Sequence, residues 1–178
     1  MERRFDLDEA TRVLVQTPHV LDAWLRDLPE AWLRATEGPS TWSAFDVVGH
    51  LIHGERTDWI PRVRHLLTHG EAVPFPVFDR FAQFEASRGR SMTQLLDDFR
   101  AARAESLDAL AGLALTPADL GRTGTHPEFG VVTLAQHLAT WVVHDLDHLA
   151  QIARVLARGY AGAVGPWRAY LRVVRPPE

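Results

Sequence analysis

The sequence predicts an all-α chain folded as a four-helix bundle, on three observations. Apolar residues recur at helical spacing along most of the 178 residues, while strand-like alternation is scarce. Four long segments begin at capping residues or end at glycine or proline. Residues 71–90, between the second and third of them, carry Pro74, Pro76, Gly89 and several phenylalanines, and read as one long irregular crossover.

The first helical region spans about residues 8–36, with Asp8 as its expected cap. Thr17-Pro18 reads as a second cap followed by a first-turn proline, so the helix is expected to restart or kink there. Leu14, Val20, Leu21, Trp24, Leu25 and Leu28 supply its apolar positions, and Pro29 and Gly38-Pro39 punctuate its end. The second helix runs from Ser43 to about Thr68. Ser43-Ala44-Phe45-Asp46 forms a capping box with Asp in place of the preferred Glu. Gly70 stops this helix, and Pro61 is expected to bend it near Trp59 or Ile60.

In the crossover, Phe75, Phe78, Phe81 and Phe84 are expected to anchor apolar contacts, with a helical turn around 79–86. The third helix runs from about Met92 to Gly112, capped by Ser91. Its buried stripe is Leu95, Phe99, Ala102, Ser106, Leu107 and Leu110. Thr116-Pro117 opens a short turn, and residues 121–130 read as a loop. The fourth helix runs from about Thr133 to Arg158, with Gly159 just past its end. Gly165-Pro166 begins a last short helix, carrying Trp167, Tyr170 and Leu171, that is expected to cover one end. The linkers are too short for a second unit, so residues 1–178 read as one domain.

Composition narrows the function. Nineteen Lys and Arg stand against 23 Asp and Glu, nine residues are histidine, and none is cysteine. A chain of this size buries roughly 70% of its unfolded surface and needs no staples. The missing cysteine excludes a disulfide framework, a thiolate metal site and a cysteine nucleophile. A bound transition metal must therefore use imidazole and carboxylate. A mildly acidic chain without a basic run is not expected to bind nucleic acid. No window approaches the ~18 apolar residues of a membrane span, and MERRFDLDEATR lacks the apolar core of a signal peptide. A cytoplasmic protein without membrane association is the expectation.

The histidines are the sharpest feature. His144 and His148 stand at i and i+4 in His144-Asp145-Leu146-Asp147-His148, sharing a helix face at ~5–6 Å between Cβ atoms. Two imidazoles so placed can lean toward one ion at ~2.0–2.1 Å each. His137 lies two turns earlier, ~10.5 Å away by helical rise, which suits a packed or supporting histidine better than a ligand. A third ligand is better sought on another helix. His50 is the favoured candidate, flanked by apolar residues with Gly54 one turn on, and His53 is its alternative. His19, His65 and His69 read as surface histidines. His126, in a Pro/Gly loop, reads as a cap or as a residue at the mouth of a pocket.

Trp42-Ser43, Gly49-His50-Leu51-Ile52-His53-Gly54-Glu55-Arg56 and Trp59-Ile60-Pro61-Arg62 together resemble the second-helix signature of the DinB/YfiT-like superfamily. His126-Pro127-Glu128-Phe129-Gly130 with Val132-Thr133-Leu134 resembles its loop before the last bundle helix. Val143 to Ile152 resembles its last-helix signature. The pieces fall in the family's order and span nearly the whole chain. The resemblance implies a four-helix bundle, often a homodimer. It also implies one divalent transition metal per chain, zinc or nickel foremost, on His50, His144 and His148.

Three neutral imidazoles leave at least one position of such an ion open, as in catalytic rather than structural sites. The resemblance covers thiol-dependent transferases and hydrolases alike, so a small-molecule substrate, with a low-molecular-weight thiol as cosubstrate in the first case, is the expectation. A non-catalytic metal- or ligand-binding bundle is the competing reading, and His53 or Asp147 would then close the fourth position. Asp145 and Asp147 are expected to orient imidazoles, cap neighbours or face solvent. Glu55 and Arg62 are expected to pair on the second helix, with a pocket role as the alternative. Trp59, Trp141 and Gln151 read as core or pocket residues.

Overall fold

Short polar side chains start each long helix of the computed structural model, which describes residues 4–174. Asp6 caps α1 (Leu7–Leu25), and a short α2 (Glu30–Leu33) follows. Ser43 and Asp46 close reciprocally over the first turn of α3 (Ala44–Thr57), which leads into α4 (Trp59–His69). After the crossover and its helical turn α5 (Ala82–Ala86), Ser91 and Gln94 box the start of α6 (Met92–Gly112). Thr116 caps the short α7 (Pro117–Leu120), and Thr133 with Gln136 boxes α8 (Leu134–Arg158). These caps satisfy N–H groups that a helix start otherwise leaves orphaned. α1, α3 with α4, α6 and α8 form the bundle.

The first helical region differs from expectation. Asp6, not Asp8, is the cap, and α1 runs unbroken through Thr17 and Pro18, which are both buried. A mid-helix proline leaves the carbonyl four residues earlier without its N–H partner. Here Arg103 Nη1 donates to that carbonyl, Leu14 O, at 2.7 Å. The helix stops at Leu25, and residues 30–33 form a separate turn. Trp24, expected on the apolar face, is 42% exposed.

The second helix is interrupted close to where a bend was expected, and more sharply: it breaks at Asp58, one residue before Trp59, where φ is −115° and ψ −66°. Pro61 then lies in the first turn of α4, where a missing N–H costs nothing. Residues 121–130 are not a loop. β1 (Thr123–His126) and β2 (Gly130–Thr133) form an antiparallel hairpin, with Thr123 opposite Thr133 and His126 opposite Gly130. Four-residue strands with a glycine in each give too little alternation to read. At Gly124 a Cβ would come 3.1 Å from Leu66 Cγ and from Phe75 Cζ. Phe75 is buried and its N–H donates to Thr125 O at 2.9 Å, tying the crossover to the hairpin. Phe78 is half-buried, whereas Phe81 and Phe84 are exposed and anchor nothing in the core.

Two apolar clusters fill the bundle. One gathers Leu21, Leu51, Phe99 and Ile152, the other Leu14, Val63, Leu66 and Trp141. Gly159 ends α8 at φ −52°, so its role is not a left-handed turn; a Cβ there would meet the Trp32 ring at 3.0 Å. The last segment forms two 3-10 turns, Gly165–Ala169 and Arg172–Val174, with Val174 buried and Trp167 and Tyr170 exposed. No helix among the described residues is long and apolar enough to cross a membrane.

α5 sits hard against α3 at Gly49, where a Cβ would lie 2.5 Å from Ser87 Oγ and 2.6 Å from Gln83 Oε1. Both side chains are buried, so overpacking has no easy outlet. Gly49→Ala is expected to lower the urea unfolding free energy by about 1–3 kcal/mol. An unchanged midpoint would mean that α5 yields freely.

Candidate metal centre

His144 and His148 project from one face of α8, one turn apart, and His50 meets them from α3. The Nε2 atoms of His50 and His148 each lie 3.1 Å from His144 Nε2. The cluster takes in His50 and leaves out His53. His53 packs its ring on Phe78, with centroids 5.0 Å apart, and stays outside the cluster. Trp42, Phe78 and Trp59 wall the histidines in; the Trp42 and His50 rings lie 4.8 Å apart, those of Trp59 and His144 5.1 Å.

The chemistry of this cluster suits a cation. His144 Nε2 has one in-plane position, for a proton or a lone pair, so it can serve one of its two 3.1 Å neighbours by hydrogen bonding but not both. His148 Nδ1 donates to Gln151 Oε1 at 2.8 Å, which leaves its Nε2 unprotonated and aimed at the cluster. Two nitrogens each ~2.0–2.1 Å from a common ion and roughly 100° apart are separated by about 3.1 Å. Burial, and next the neighbouring His148, push His50 and His144 down to about 3, and burial also lowers His148. All three rings are therefore neutral at pH 7 and free to act as ligands. The Nδ1 atoms of His50 and His144 are buried without a protein partner among the described residues.

Other candidates fall elsewhere. His137 is buried against Trp59, and its Nε2 donates to Trp59 O at 3.1 Å, so it packs beside the site. Asp147 is exposed and outside the cluster. His19 and His69 are exposed as expected, but His65 is half-buried, with Nε2 donating to Val73 O at 2.8 Å.

Glu55 does not pair with Arg62, because the break at Asp58 puts them on different helices. Arg62 pairs with Asp58 at 2.6 Å, and Glu55 turns inward to Arg103 of α6. Asp145 likewise neither orients an imidazole nor faces solvent. It is fully buried and takes Arg103 Nη1 at 2.7 Å and Nη2 at 3.0 Å, with the Thr17 hydroxyl donating at 2.6 Å. Glu55 Oε1 accepts from Arg103 Nε at 3.1 Å, Arg103 Nη2 at 2.8 Å and Trp141 Nε1 at 3.1 Å. Trp141 is thus core, stacked on Trp59. Burial pushes the Glu55 carboxyl up while Arg103 pulls it back, and the two carboxylates overcome the burial of Arg103 to keep its charge. Arg103 was invisible as a site residue. Its one signal is an arginine between Phe99 and Ser106 on an otherwise apolar stripe.

The three histidines open onto a cavity of about 710 Å³. The crossover, the α3–α4 break and the hairpin supply the rest of its wall, through Phe78, Asp58, Arg62 and His126 among others. His126 therefore stands at the pocket rather than serving as a helix cap. Its Nδ1 accepts the backbone N–H groups of Glu128 and Phe129 at 3.1 and 3.2 Å.

The sequence model of the DinB superfamily matches residues 14–152, which include all three histidines. The chain belongs to the DinB superfamily. Its fold is similar to that of YfiT from Bacillus subtilis, with a TM-score of 0.73 at 22% identity over 89% of this chain and 93% of that one. YfiT is described as a probable metal-dependent hydrolase with an unusual four-helix bundle topology. It is also similar to TT2238, a four-helix bundle protein, with a TM-score of 0.53 at 24% identity over 80% and 94% of the two chains. These likenesses show the DinB-like bundle. No curated protein matches the chain.

Arg103→Met leaves two buried carboxylates unpaired and is expected to cost about 3–5 kcal/mol in urea denaturation. The same change at exposed Arg88, paired with Glu85, should cost under ~1 kcal/mol. Equal effects would remove the central role of the buried network. A second expectation concerns pH in chelator-treated protein. His50 and His144 are held near 3 and His137 near 4, below the ordinary value of 6.5. The unfolded chain therefore binds protons that the folded chain refuses. Stability should be full above pH ~6.5 and fall toward pH ~4, by up to ~1.4 kcal/mol per unit for each such histidine. Unfolding midpoints from pH 7.5 to 4.5 measure this, and a flat profile would mean the rings are charged when folded.

Proposed function

We propose that the protein is a metal-dependent enzyme acting on a small molecule, with His50, His144 and His148 as ligands of one divalent ion. The observation that carries this reading is the union of three converging neutral imidazoles with a cavity of about 710 Å³. Binding cavities for drug-sized ligands run ~300–1,000 Å³, so this one has space for two small reactants. A closed binding site would fill the fourth position with a protein ligand; neither His53 nor Asp147 joins the cluster. A divalent ion held there supplies a Lewis acid that can acidify a water or thiol or polarise an oxygen.

The chain's own groups define the rest. Gln151 fixes the His148 ring, burial keeps the three imidazoles uncharged, and Trp42, Phe78 and Trp59 exclude water from one side of the cluster. Space for two reactants favours thiol S-transfer: a thiol sulfur bonds to an electrophilic carbon, and the leaving group departs with its electron pair while the thiol proton is released. With no cysteine in the chain, the sulfur arrives on a cosubstrate. Hydrolysis, with water as the second reactant, is the chemistry named for YfiT and uses the same centre.

His144→Ala is expected to reduce the metal content from one per chain to near zero by elemental analysis, since two imidazoles capture an ion weakly. Retention of one ion per chain would overturn the ligand assignment. A screen of small thiols with electrophiles, beside hydrolysable esters and amides, each with and without chelator, separates the chemistries. Turnover that needs both thiol and metal selects transfer, and thiol-independent turnover that needs metal selects hydrolysis. Turnover indifferent to chelator overturns the metal reading.

A further inference from the structure

Away from the three histidines, the cavity wall is rich in hydrogen-bond donors and short of free acceptors. Arg62 is buried, with its Nε paired to Asp58 Oδ1 at 2.6 Å and its Nη2 donating to Pro76 O at 3.1 Å. Its Nη1 has no partner among the described residues. The Arg62 guanidinium lies 5.3 Å from the Phe75 ring centroid, and the His126 and His137 rings lie 6.3 and 6.0 Å from it, so all three groups border Phe75. The tautomer of His126 is fixed. Its Nδ1 accepts two backbone N–H groups, so a neutral ring carries its proton on Nε2. Arg80, an exposed residue of the crossover, lines the same cavity. It forms no ion pair or hydrogen bond among the described residues. The carboxylates on the wall are Asp58, committed to Arg62, and Glu128, exposed and two residues from His126. Between these polar groups stand the flat faces of Trp42, Phe75 and Phe78.

A guanidinium without a partner, a second with an unused edge and an imidazole N–H together match a group with several acceptor oxygens. We infer that the molecule this cavity accepts is a small organic acid with an apolar or aromatic body. Its carboxylate or phosphate is held by Arg80 and Arg62 with His126, and its reacting end lies at His50, His144 and His148. Only the reacting end rests on the metal-enzyme reading; the acid subsite stands on the arginines and His126 alone.

The test is isothermal calorimetry with benzoate, phenyl phosphate and neutral benzamide, on chelator-treated and on zinc-loaded protein. The expected result is that benzoate or phenyl phosphate binds the chelator-treated protein and benzamide does not. Arg80→Gln is then expected to weaken the acid by ~10-fold, the loss of a charge-assisted bond, with melting temperature and metal content unchanged because Arg80 is exposed. The preferred acid identifies the group as carboxylate or phosphate. Benzamide binding as tightly as the acids, binding of neither acid, or an Arg80→Gln variant that binds like the parent would each overturn the subsite. Acid binding confined to zinc-loaded protein would also overturn it, since the acid would then sit on the ion. Arg80-dependent acid binding alongside a His144→Ala variant that keeps its metal would leave the subsite standing and sink the ligand assignment instead.

Discussion

Burying the Arg103 guanidinium at the centre of a helical bundle costs several kcal/mol unless its five N–H groups are all met. They are, by Glu55 of α3, Asp145 of α8 and the Leu14 carbonyl of α1. One side chain from α6 thus touches the other three helices of the bundle. It also lies over the Phe99 ring at 5.0 Å and the Trp141 ring at 5.2 Å, one from each apolar cluster. Pro18 belongs to the same arrangement. Its missing N–H leaves Leu14 O open on the inner face of α1, where Arg103 takes it, and so the helix continues where a proline ordinarily ends one. A surface ion pair leaves its partners free to rotate; a bidentate pair in a dry core fixes both distance and angle.

That fixed angle matters because the network and the histidines share two helices. On α8, Asp145 lies between His144 and His148, and Trp141 one turn before Asp145 reaches Glu55. On α3, Glu55 follows His50 by five residues. Rotation of α8 that moved His144 toward His50 or away from it would break the Asp145 fork and the Trp141 bond together. The position of the imidazoles is therefore set from inside the bundle, by groups that never reach the cavity. Among the described residues, hydrogen-bond support at the rings themselves is sparse, with Gln151 on His148 alone. The core network takes over the orienting work that carboxylates often do beside metal ligands.

The regular parts of this architecture were legible. The capping box at Ser43, the cap at Ser91 and the stripe of α6 are local signals, and the His144–His148 spacing with a histidine sought on another helix pointed to the cluster that the fold assembles. What stayed hidden depends on contacts across the fold. Glu55 and Arg62 look like neighbours on one long helix until Asp58 breaks it. Pro18 looks like a start signal because nothing local shows that Arg103 will satisfy Leu14 O. Asp145 looks solvated because its partners are 42 and 128 residues away in sequence. Phe81 and Phe84 look like anchors by type alone, yet only Phe75 of that series is buried.

The hidden features are also the ones that build the cavity. The break at Asp58 frees α4 from the line of α3 and puts Arg62 on the cavity wall. The hairpin lifts His126 to the opening, and the crossover is pinned to it by Phe75 N–H at Thr125 O. An uninterrupted second helix with a plain loop before α8 would carry the same three histidines but lack these pieces of the wall. Regular helices fix the imidazoles, and departures from regularity shape what can approach them. This division follows from the physics of helices. A continuous helix satisfies its own backbone and buries a stripe, so it makes scaffold, whereas a concave surface lined with polar groups needs chain ends, breaks and turns to supply it.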